Sequence, residues 1–440
     1  MNRRIATTLT CAALTLLLFI AACARNPTKS ATDAAESGKA DGRGDHWIGT
    51  WATAPQPFMP GALEHFQYQS LRLIVHVSAG GKQVRVKISN TYGDQPLVIA
   101  GAHIARRSAA AEIDPSTDRR LTFHGQAATT VAAKGLDVSD PVDLEVPALS
   151  DLAISIFLPQ PTDATTSHLL ALQTSYVSTA GDFTGSAKFP VAKTIDSWPF
   201  LTGVDVAASD RGVAVVALGS SLTDGDGSSL DGNRRWPDVL AERLQKGGGN
   251  VAVGVLNEGI IGNRLLTDSP QQKGSPFGAA LGQAGLARFE RDVLEQAGVR
   301  YVIVGLGIND IGMPGALTPA SEQVSAESLI AGYRKLIARG HEKGIRVIGS
   351  TNPPFENSFL RDPPVKFYTP EKEAVRQKVN DWIRDGGEFD GVIDFDALVR
   401  DPGHVTQLLP KYDSGDHLHP NDAGYEASAN AISLALFGAR

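Results

Sequence analysis

Two stretches far apart in the chain carry side chains suited to ester chemistry. The hydroxyls of Ser220 and Ser221 follow an apolar run that ends at Gly219, and Asp416 lies three residues before His419. A serine cleaves an ester when a general base takes its proton and hydrogen-bond donors stabilise the developing oxyanion. A carboxylate three residues from a histidine on one turn can hold the imidazole in the required tautomer. Each stretch alone is typical of a polar turn; together they could supply the parts of an ester hydrolase, provided that the fold brings them together.

The elements that would position these residues form an alternating pattern of strands and helices. The apolar run ending at Gly219 is typical of a strand buried on both faces of a parallel sheet, and ligands of such sheets bind beyond the carboxyl ends of the strands. Four further apolar runs predict strands at residues 251–256, 301–304, 345–349 and 392–395. Pro237 marks one helix start and Thr369 another. This half is predicted to be a five-stranded parallel sheet with helices on both faces.

Four sequence blocks, in order along this half, resemble those of the SGNH, or GDSL-type, hydrolase family. They are residues 219–225 (Gly-Ser-Ser-Leu-Thr-Asp-Gly), 256–263 (Leu-Asn-Glu-Gly-Ile-Ile-Gly-Asn), 305–310 (Gly-Leu-Gly-Ile-Asn-Asp) and 416–420 (Asp-His-Leu-His-Pro). One block alone is weak evidence, whereas four in order, three of them at strand ends, indicate the family. The resemblance implies a flavodoxin-like α/β/α fold and ester hydrolysis through an acyl-enzyme, without a metal or cofactor.

The resemblance makes Ser221 the nucleophile, because residues 219–225 fit the family pattern Gly-Asp-Ser-Leu-Thr-x-Gly with Ser221 in the place of its serine. Ser220 stands where the family has an aspartate. This departure leaves two questions open: whether Ser220 serves instead, and whether activity is reduced.

The family pattern Asp-x-x-His-Pro makes His419 the general base and Asp416 its orienting partner. His417 is the obvious rival for the role of base. His417 and His419 could also be imagined as metal ligands, but no further His or Cys cluster in the sequence completes a coordination shell. A catalytic triad of Ser221, His419 and Asp416 is therefore expected.

The resemblance also implies an oxyanion hole with three donors: the backbone N–H groups of Ser221 and Gly262 and the side-chain amide of Asn309. Glycine suits a close approach of backbone to substrate, and an amide donates without a titratable charge. Gly259 competes with Gly262, but the spacing from Asn257 favours Gly262. Asp310 is interpreted as structural, since the triad already contains a carboxylate.

Composition and the N-terminus indicate an exported protein. Net charge is −7 and the sequence has no long Lys/Arg-rich run, so nothing points to nucleic acid. Residues 1–22 predict a lipoprotein or secretory signal peptide: a charged start precedes an apolar segment too short for a permanent membrane span. The segment ends Ile-Ala-Ala-Cys, which resembles the bacterial lipobox and implies lipid attachment at Cys23; the alternative is an ordinary secretory signal. Cys11 and Cys23 are the only cysteines, so no disulfide is expected in the mature chain.

The 440 residues suggest two domains after a flexible tether at residues 23–45, whose composition is rich in small and charged residues. Residues 46–205 are predicted to form an all-β sandwich or jelly roll. Alternating apolar residues predict a hairpin of residues 71–77 and 84–88. Residues 206–440 are predicted to be the hydrolase domain, with a junction at residues 197–211.

The most specific prediction of function is a serine esterase that removes short acyl groups, mainly acetyl, from a carbohydrate. An exported enzyme with an added β-domain suits a large external substrate, and the catalytic half shows no long apolar segment for an acyl-chain lid. The alternative is a lipase or lysophospholipase anchored to a bacterial membrane, at the periplasmic or cell-surface side. A third interpretation is a non-catalytic glycan-binding lipoprotein, for which the departure at Ser220 is the support.

Overall fold

The computed structural model describes residues 46–59, 61–209, 211–247, 251–270, 277–358 and 366–438. The predicted signal peptide, Cys23 and the predicted tether lie outside the described residues and stay predictions. No helix among the described residues is long and apolar enough to cross a bilayer. Residues Asp45–Arg440 cluster as one compact unit, and the division into two domains at residues 205 and 206 stays a prediction.

The first part of the chain consists of strands joined by turns, with one short 3₁₀ segment at Pro115–Thr117. Its strands are β1 (His46–Ala52), β2 (His65–Phe66), β3 (Gln69–Val77), β4 (Gly81–Ser89), β5 (Leu97–Ile99), β6 (Gly101–Ala109), β7 (Glu112–Ile113), β8 (Arg119–Arg120), β9 (Thr129–Val131), β10 (Leu136–Val138), β11 (Val142–Val146), β12 (Ser150–Leu158), β13 (Thr162–Asp163), β14 (Ser175–Ala180), β15 (Val191–Ile195) and β16 (Leu201–Ala208). In β4, Val84 and Val86 are buried while Arg85 between them is half-buried, because side chains alternate between the two faces of a strand.

Two sheets pack face to face in this part. One has the order β1-β16-β4-β10, with β11 also on β4; the other has the order β15-β14-β3-β12-β6-β7, with β8 also on β6. Buried apolar side chains of both sheets form one core, among them Leu73, Val75, Val86, Ile88, Ile104, Ile154 and Val204, and Trp198 from the loop before β16 joins it. The two sheets confirm the all-β prediction. Strand β16 occupies much of the stretch 197–211 that the sequence indicated as a junction.

The predicted hairpin of residues 71–77 and 84–88 is wrong. Both edges of β3 are occupied, by β12 and β14, while β4 pairs with β16 in the other sheet. The turn between β3 and β4 therefore carries the chain across the sandwich. A side chain at Gly80 in this turn would place its Cβ 2.6 Å from the carbonyl oxygen of Val146, so the crossing requires glycine.

The second part is built on a parallel sheet. Its strands are β17 (Val213–Gly219), β18 (Val253–Gly259), β19 (Val299–Gly305), β20 (Arg346–Ser350) and β21 (Gly391–Ile393). Their order, β18-β17-β19-β20-β21, is that of flavodoxin-like folds and confirms the predicted fold class. The chain leaves β17 toward one neighbour and returns on the other side, so a crevice opens beyond the carboxyl ends of β17 and β19, where such folds bind ligands.

Helices cover both faces of this sheet. They are α1 (Ser221–Asp224), α2 (Trp236–Lys246), α3 (Gly285–Phe289), α4 (Ile308–Gly312), α5 (Ala326–Glu342), α6 (Pro370–Asp385), α7 (Phe395–Val399) and α8 (Asp422–Ala431), with a π-helical turn at Glu290–Leu294 and a strand pair of β22 (Arg400–Asp401) and β23 (His404–Leu408). Helices α2 and α8 pack on one face, and α5 and α6 on the other. Both predicted helix starts are confirmed: Pro237 lies in the first turn of α2, and the hydroxyl of Thr369 caps α6.

The all-β part lies directly against the edge strand β18. The N–H of Gly49 donates to the carbonyl of Ala297 over 2.8 Å, and the N–H of Val255 donates to the hydroxyl of Ser78 over 2.8 Å. A Cβ at Gly254 would lie 1.9 Å from the carbonyl oxygen of Gly49, so β1 and β18 meet at a distance that only glycine allows. The sandwich is thereby held beside the crevice.

Candidate active site

Ser221 begins the short helix α1 directly beyond the carboxyl end of β17. Ser220 precedes it in extended conformation, and the chain turns sharply here. A Cβ at Gly219 would lie 2.0 Å from the hydroxyl of Thr223, so this turn requires glycine at the strand end. The first N–H groups of a helix have no acceptor within the helix. The N–H of Ser221 therefore lies at the helix start, beside its own hydroxyl.

The fold brings together the three residues predicted as a triad, although Ser221 and His419 are 198 positions apart. The hydroxyl of Ser221 lies 2.8 Å from Nε2 of His419, and Nδ1 of His419 lies 2.5 Å from Oδ2 of Asp416. The other carboxylate oxygen, Oδ1, accepts from the backbone N–H groups of Leu418 and His419, at 3.0 and 2.8 Å. With Nδ1–H donating to the carboxylate, Nε2 carries a lone pair toward the serine hydroxyl.

Electrostatics favour a charged Asp416 and a readily protonated His419. Burial acts to raise the pKa of Asp416, but the hydrogen bond from His419 and those from the backbone N–H groups outweigh it and lower the pKa to about 2. Burial acts to lower the pKa of His419, but the hydrogen bond to Asp416 and the negative charges of Asp226 and Asp413 outweigh it and raise the pKa above its ordinary value. The imidazole is thus a stronger base than one in water.

Asp226 places a second carboxylate near the same imidazole. Its Oδ2 lies 3.8 Å from Nε2 of His419, and its side chain is one-third exposed (34%). The base must be neutral to act, so kcat/KM is expected to fall as the pH drops through the pKa of His419, which is raised above its ordinary value. Asp226→Asn removes a negative charge, lowers that pKa and is expected to move this acid limb to lower pH.

The matched control is Asp381→Asn, which makes the same charge change on the exposed face of α6. The pH profiles of kcat/KM for the wild type and both variants measure the effect. If the pH profile of Asp226→Asn coincides with that of the wild type or moves to higher pH, the negative charge of Asp226 does not raise the pKa of His419, and this account is wrong.

The three predicted oxyanion donors lie together. Ser221, Gly262 and Asn309 line the same cavity of about 200 Å³. The side-chain amide of Asn309 donates one hydrogen to the carbonyl of Asn263 over 3.0 Å, which fixes its plane, and its second hydrogen is available to a ligand. Gly262 has a φ of +70° and leaves no room for a Cβ, which would lie 2.8 Å from the side chain of Leu281.

The alternatives that the sequence offered for the oxyanion donor, the base and the nucleophile are Gly259, His417 and Ser220, and each has other surroundings. The N–H of Gly259 already donates to the side chain of Asn257, at 3.0 Å. Nδ1 of His417 faces Asp413, and its ring is half-exposed. The hydroxyl of Ser220 is fully buried and has no hydrogen-bond partner among the described residues. Among the residues that the structure describes, no group of three or more His, Cys, Asp or Glu side chains could hold a metal ion.

Asp310 supports the site from behind. Its carboxylate accepts from the backbone N–H groups of Leu265 and Leu266, at 2.7 and 2.9 Å, and is 1% exposed. Burial outweighs these hydrogen bonds and raises its pKa to about 6. The contacts agree with the structural interpretation of this residue.

Arg288 joins the backbone before Ser221 to residues 258–263, the segment that carries Gly262 and is called the oxyanion loop below. This role was not predicted from the sequence. Its guanidinium, 1% exposed, donates to the carbonyls of Gly219 and Glu258 at 2.9 and 2.8 Å. It also donates to the side chain of Asn263 at 3.1 Å, and Asp292 balances its charge at 2.9 Å. One side chain therefore connects two of the four blocks. An arginine in a helical stretch carries no sequence signal for such a role.

Comparison with known proteins gives a match to one protein family and matches to several solved structures. Residues 215–432 match the family described as GDSL-like lipase/acylhydrolase. No curated protein gives a match.

Similar solved structures include the aryl esterase of M. smegmatis (16% identity, 52% of this chain and 100% of that one, TM-score 0.38), a carbohydrate acetylesterase from Sinorhizobium meliloti (17%, 51% and 99%, 0.38) and a GDSL-like lipase from Bacteroides thetaiotaomicron (16%, 52% and 89%, 0.34).

Proposed function

Since the chain belongs to the GDSL-like lipase/acylhydrolase family and is a carboxylic ester hydrolase, we propose that it removes short acyl groups, chiefly acetyl, from a carbohydrate by means of Ser221, His419 and Asp416. The observation that carries the proposal is the continuous hydrogen-bonded arrangement of these three side chains at the mouth of the crevice. It is the arrangement that an activated serine needs.

In the first half-reaction, Nε2 of His419 takes the proton of Ser221 as its oxygen attacks the ester carbonyl. The carbonyl oxygen gains a negative charge, which the N–H groups of Ser221 and Gly262 and the amide of Asn309 stabilise. Asp416 stabilises the imidazolium without taking its proton. The imidazolium then donates the proton to the departing alcohol oxygen, and the acyl group stays on Ser221.

In the second half-reaction, His419 takes a proton from a water molecule that attacks the acyl-enzyme. The same donors stabilise the second oxyanion. The imidazolium returns its proton to the oxygen of Ser221 as the carboxylic acid leaves, which restores the starting state. Asp226, near Nε2, further stabilises the imidazolium in both halves.

The shape of the cavity supports a short acyl group. Its volume of about 200 Å³ is below the 300–1,000 Å³ typical of drug-sized ligands. Apolar side chains dominate its walls: Met59, Ile261, Phe277, Leu281, Met313, Leu317 and Leu418. These apolar walls would desolvate an acetyl group or a chain of a few carbons.

The charge of the cavity supports an alcohol part with hydroxyl groups. The carboxylate of Asp226 accepts no hydrogen bond from another described side chain and lies beside Ser221 and His419. A partly exposed carboxylate accepts hydrogen bonds from sugar hydroxyls and repels anionic head groups. Asp226→Asn is therefore expected to raise KM for an acetylated oligosaccharide more than for p-nitrophenyl acetate.

The experiment that tests the acyl preference is a series of p-nitrophenyl esters from acetate to palmitate. We expect the highest kcat/KM for acetate, with about a tenfold or greater loss toward long chains, because methylene groups that do not fit the cavity disturb the position of the ester, and one misfitting methylene changes specificity by about 1–3 kcal/mol. Leu317→Ala, which widens the cavity, is expected to improve butyrate and octanoate relative to acetate. Its matched control is Leu286→Ala, a half-buried leucine on α3 outside the cavity. A preference of the wild type for dodecanoate or palmitate overturns the proposal in favour of a lipase or lysophospholipase.

We also propose that the protein is exported and held to a bacterial membrane through an acylated Cys23. The support is the sequence Ile-Ala-Ala-Cys at residues 20–23 after a short apolar segment. In the native host, Cys23→Ser is expected to move the protein from the membrane to the soluble exported fraction. An unchanged distribution between the two fractions contradicts the anchor.

A further inference from the structure

His168 is a buried residue of the all-β part whose side chain contacts α1, the short helix that begins at Ser221. It lies between β13 and β14, outside the four blocks, and is 1% exposed. Its Nε2 lies 2.9 Å from Oδ1 of Asp224, its Nδ1 lies 3.0 Å from the carbonyl oxygen of Ala54, and its ring stacks on Trp198 at 5.7 Å. Three contacts therefore fix the position and tilt of the imidazole.

Asp224 connects this histidine to the oxyanion loop. It is the last residue of α1, three positions after Ser221, and is 1% exposed. Its second oxygen, Oδ2, accepts from the backbone N–H of Ile261 over 2.9 Å, and Ile261 immediately precedes Gly262. This hydrogen bond holds the Ile260–Ile261 peptide, so a shift of the carboxylate would also displace the next peptide, which carries the N–H of Gly262.

Both ring nitrogens of His168 face groups that accept hydrogen bonds. A carbonyl oxygen can only accept, and an ionised carboxylate also only accepts. The ring therefore links Asp224 to the backbone carbonyl of Ala54, and it cannot turn without losing one of these two contacts. The guanidinium of Arg235, 5.9 Å from the ring centre of Trp198, adds a positive charge near this carboxylate. A buried carboxylate without such partners would be costly, so these contacts keep Asp224 in place.

We propose that His168 is a positioning residue of the esterase: through Asp224 it holds the Ile261–Gly262 turn in the orientation in which the N–H of Gly262 binds the oxyanion. This inference rests on the proposed function. It gives the all-β part a role in catalysis, because that part supplies the imidazole that completes the support of the oxyanion loop.

The test compares His168→Gln with the matched control His103→Gln. His103 forms a half-buried pair with Asp118 within the all-β part, at 3.0 Å, and contributes nothing to the cavity. For p-nitrophenyl acetate, we expect kcat of His168→Gln to fall by up to about 100-fold with little change in KM, since a small misplacement of catalytic groups has effects of that order. His103→Gln is expected to keep the wild-type kcat.

A second readout does not depend on activity. Amide hydrogen exchange of the segment 256–266 is expected to become faster in His168→Gln than in the wild type and in His103→Gln. Should His168→Gln not fold, Asp224→Ala breaks the same link from the other side and is measured in the same way. Unchanged exchange of this segment in a folded variant overturns the inference.

The two proposals fail separately. A wild type whose activity does not depend on Ser221 contradicts the proposed function, whereas the exchange measurement still decides the role of His168. A Ser221-dependent wild type with the same kcat in His168→Gln leaves the proposed function intact and overturns only the positioning role.

Discussion

Ser221→Ala is expected to lower kcat for p-nitrophenyl acetate by about 10⁶-fold, the order of loss seen when a catalytic serine is removed from a triad. The reason is that the hydroxyl 2.8 Å from Nε2 of His419 is the attacking group. The oxyanion donors alone provide only the residual acceleration over water. Steady-state kinetics of the purified variant measure the loss.

Ser220→Ala is the matched control for this experiment. It removes the neighbouring hydroxyl, which is fully buried and has no partner among the described residues. Deleting an unpartnered buried hydroxyl is close to neutral or stabilising, so activity and unfolding temperature are expected to stay near those of the wild type. Loss of activity in Ser220→Ala with activity kept in Ser221→Ala would reverse the assignment of the nucleophile.

Asn309→Ala is expected to lower kcat by about 10²–10³-fold with a small change in KM, the effect of losing one oxyanion donor. The amide faces the cavity that Ser221 and Gly262 also line, and its donor acts on charge that appears only in the transition state. Asn309→Asp is expected to be at least as slow, because it keeps the size but places a carboxylate beside the oxyanion.

The measurements that decide this prediction are kcat, KM and the unfolding temperature of both variants. An Asn309→Ala enzyme with a wild-type kcat contradicts the role of the amide. A loss explained entirely by a rise in KM would instead make Asn309 a ground-state binding residue.

The sequence was sufficient to predict which residues come together at the candidate site, because their signals are local. An apolar run followed by Gly219 and a hydroxyl-rich turn predicts a strand end, and Asp416 and His419 lie on one turn. The parallel sheet then brings the ends of β17 and β19 together by its own geometry. The positions of Ser221 and Asn309 relative to one another follow from these two strand ends.

Contacts between distant segments could not be predicted from the sequence. The pairing of His168 with Asp224 joins residues 56 positions apart, and nothing at either position signals the other. The carboxylate of Asp226 comes near His419 only because the C-terminal turn folds over α1. Arg288 looks like any helix surface residue until its carbonyl acceptors are in place.

The wrong hairpin has a similar cause. Alternating residues in β3 and β4 and a Gly-Gly turn fit a hairpin, and the same pattern fits two strands that face each other across a sandwich. The choice depends on which other strands occupy the edges of β3. Those strands, β12 and β14, lie far along the chain. Strands pair through backbone N–H and C=O groups, which do not depend on the residue type, so the sequence does not show which strands pair.

The account depends most directly on Ser221 as the residue that carries the acyl group. Reaction with diethyl p-nitrophenyl phosphate, followed by intact-protein and peptide mass spectrometry, tests this because an activated serine displaces nitrophenolate and keeps the phosphoryl group. We predict one phosphoryl group per chain in the wild type and in Ser220→Ala, and none in Ser221→Ala, with loss of activity in proportion to labelling. A hydrolytically active protein that is not labelled at Ser221, or that is labelled equally in Ser221→Ala, would contradict the account.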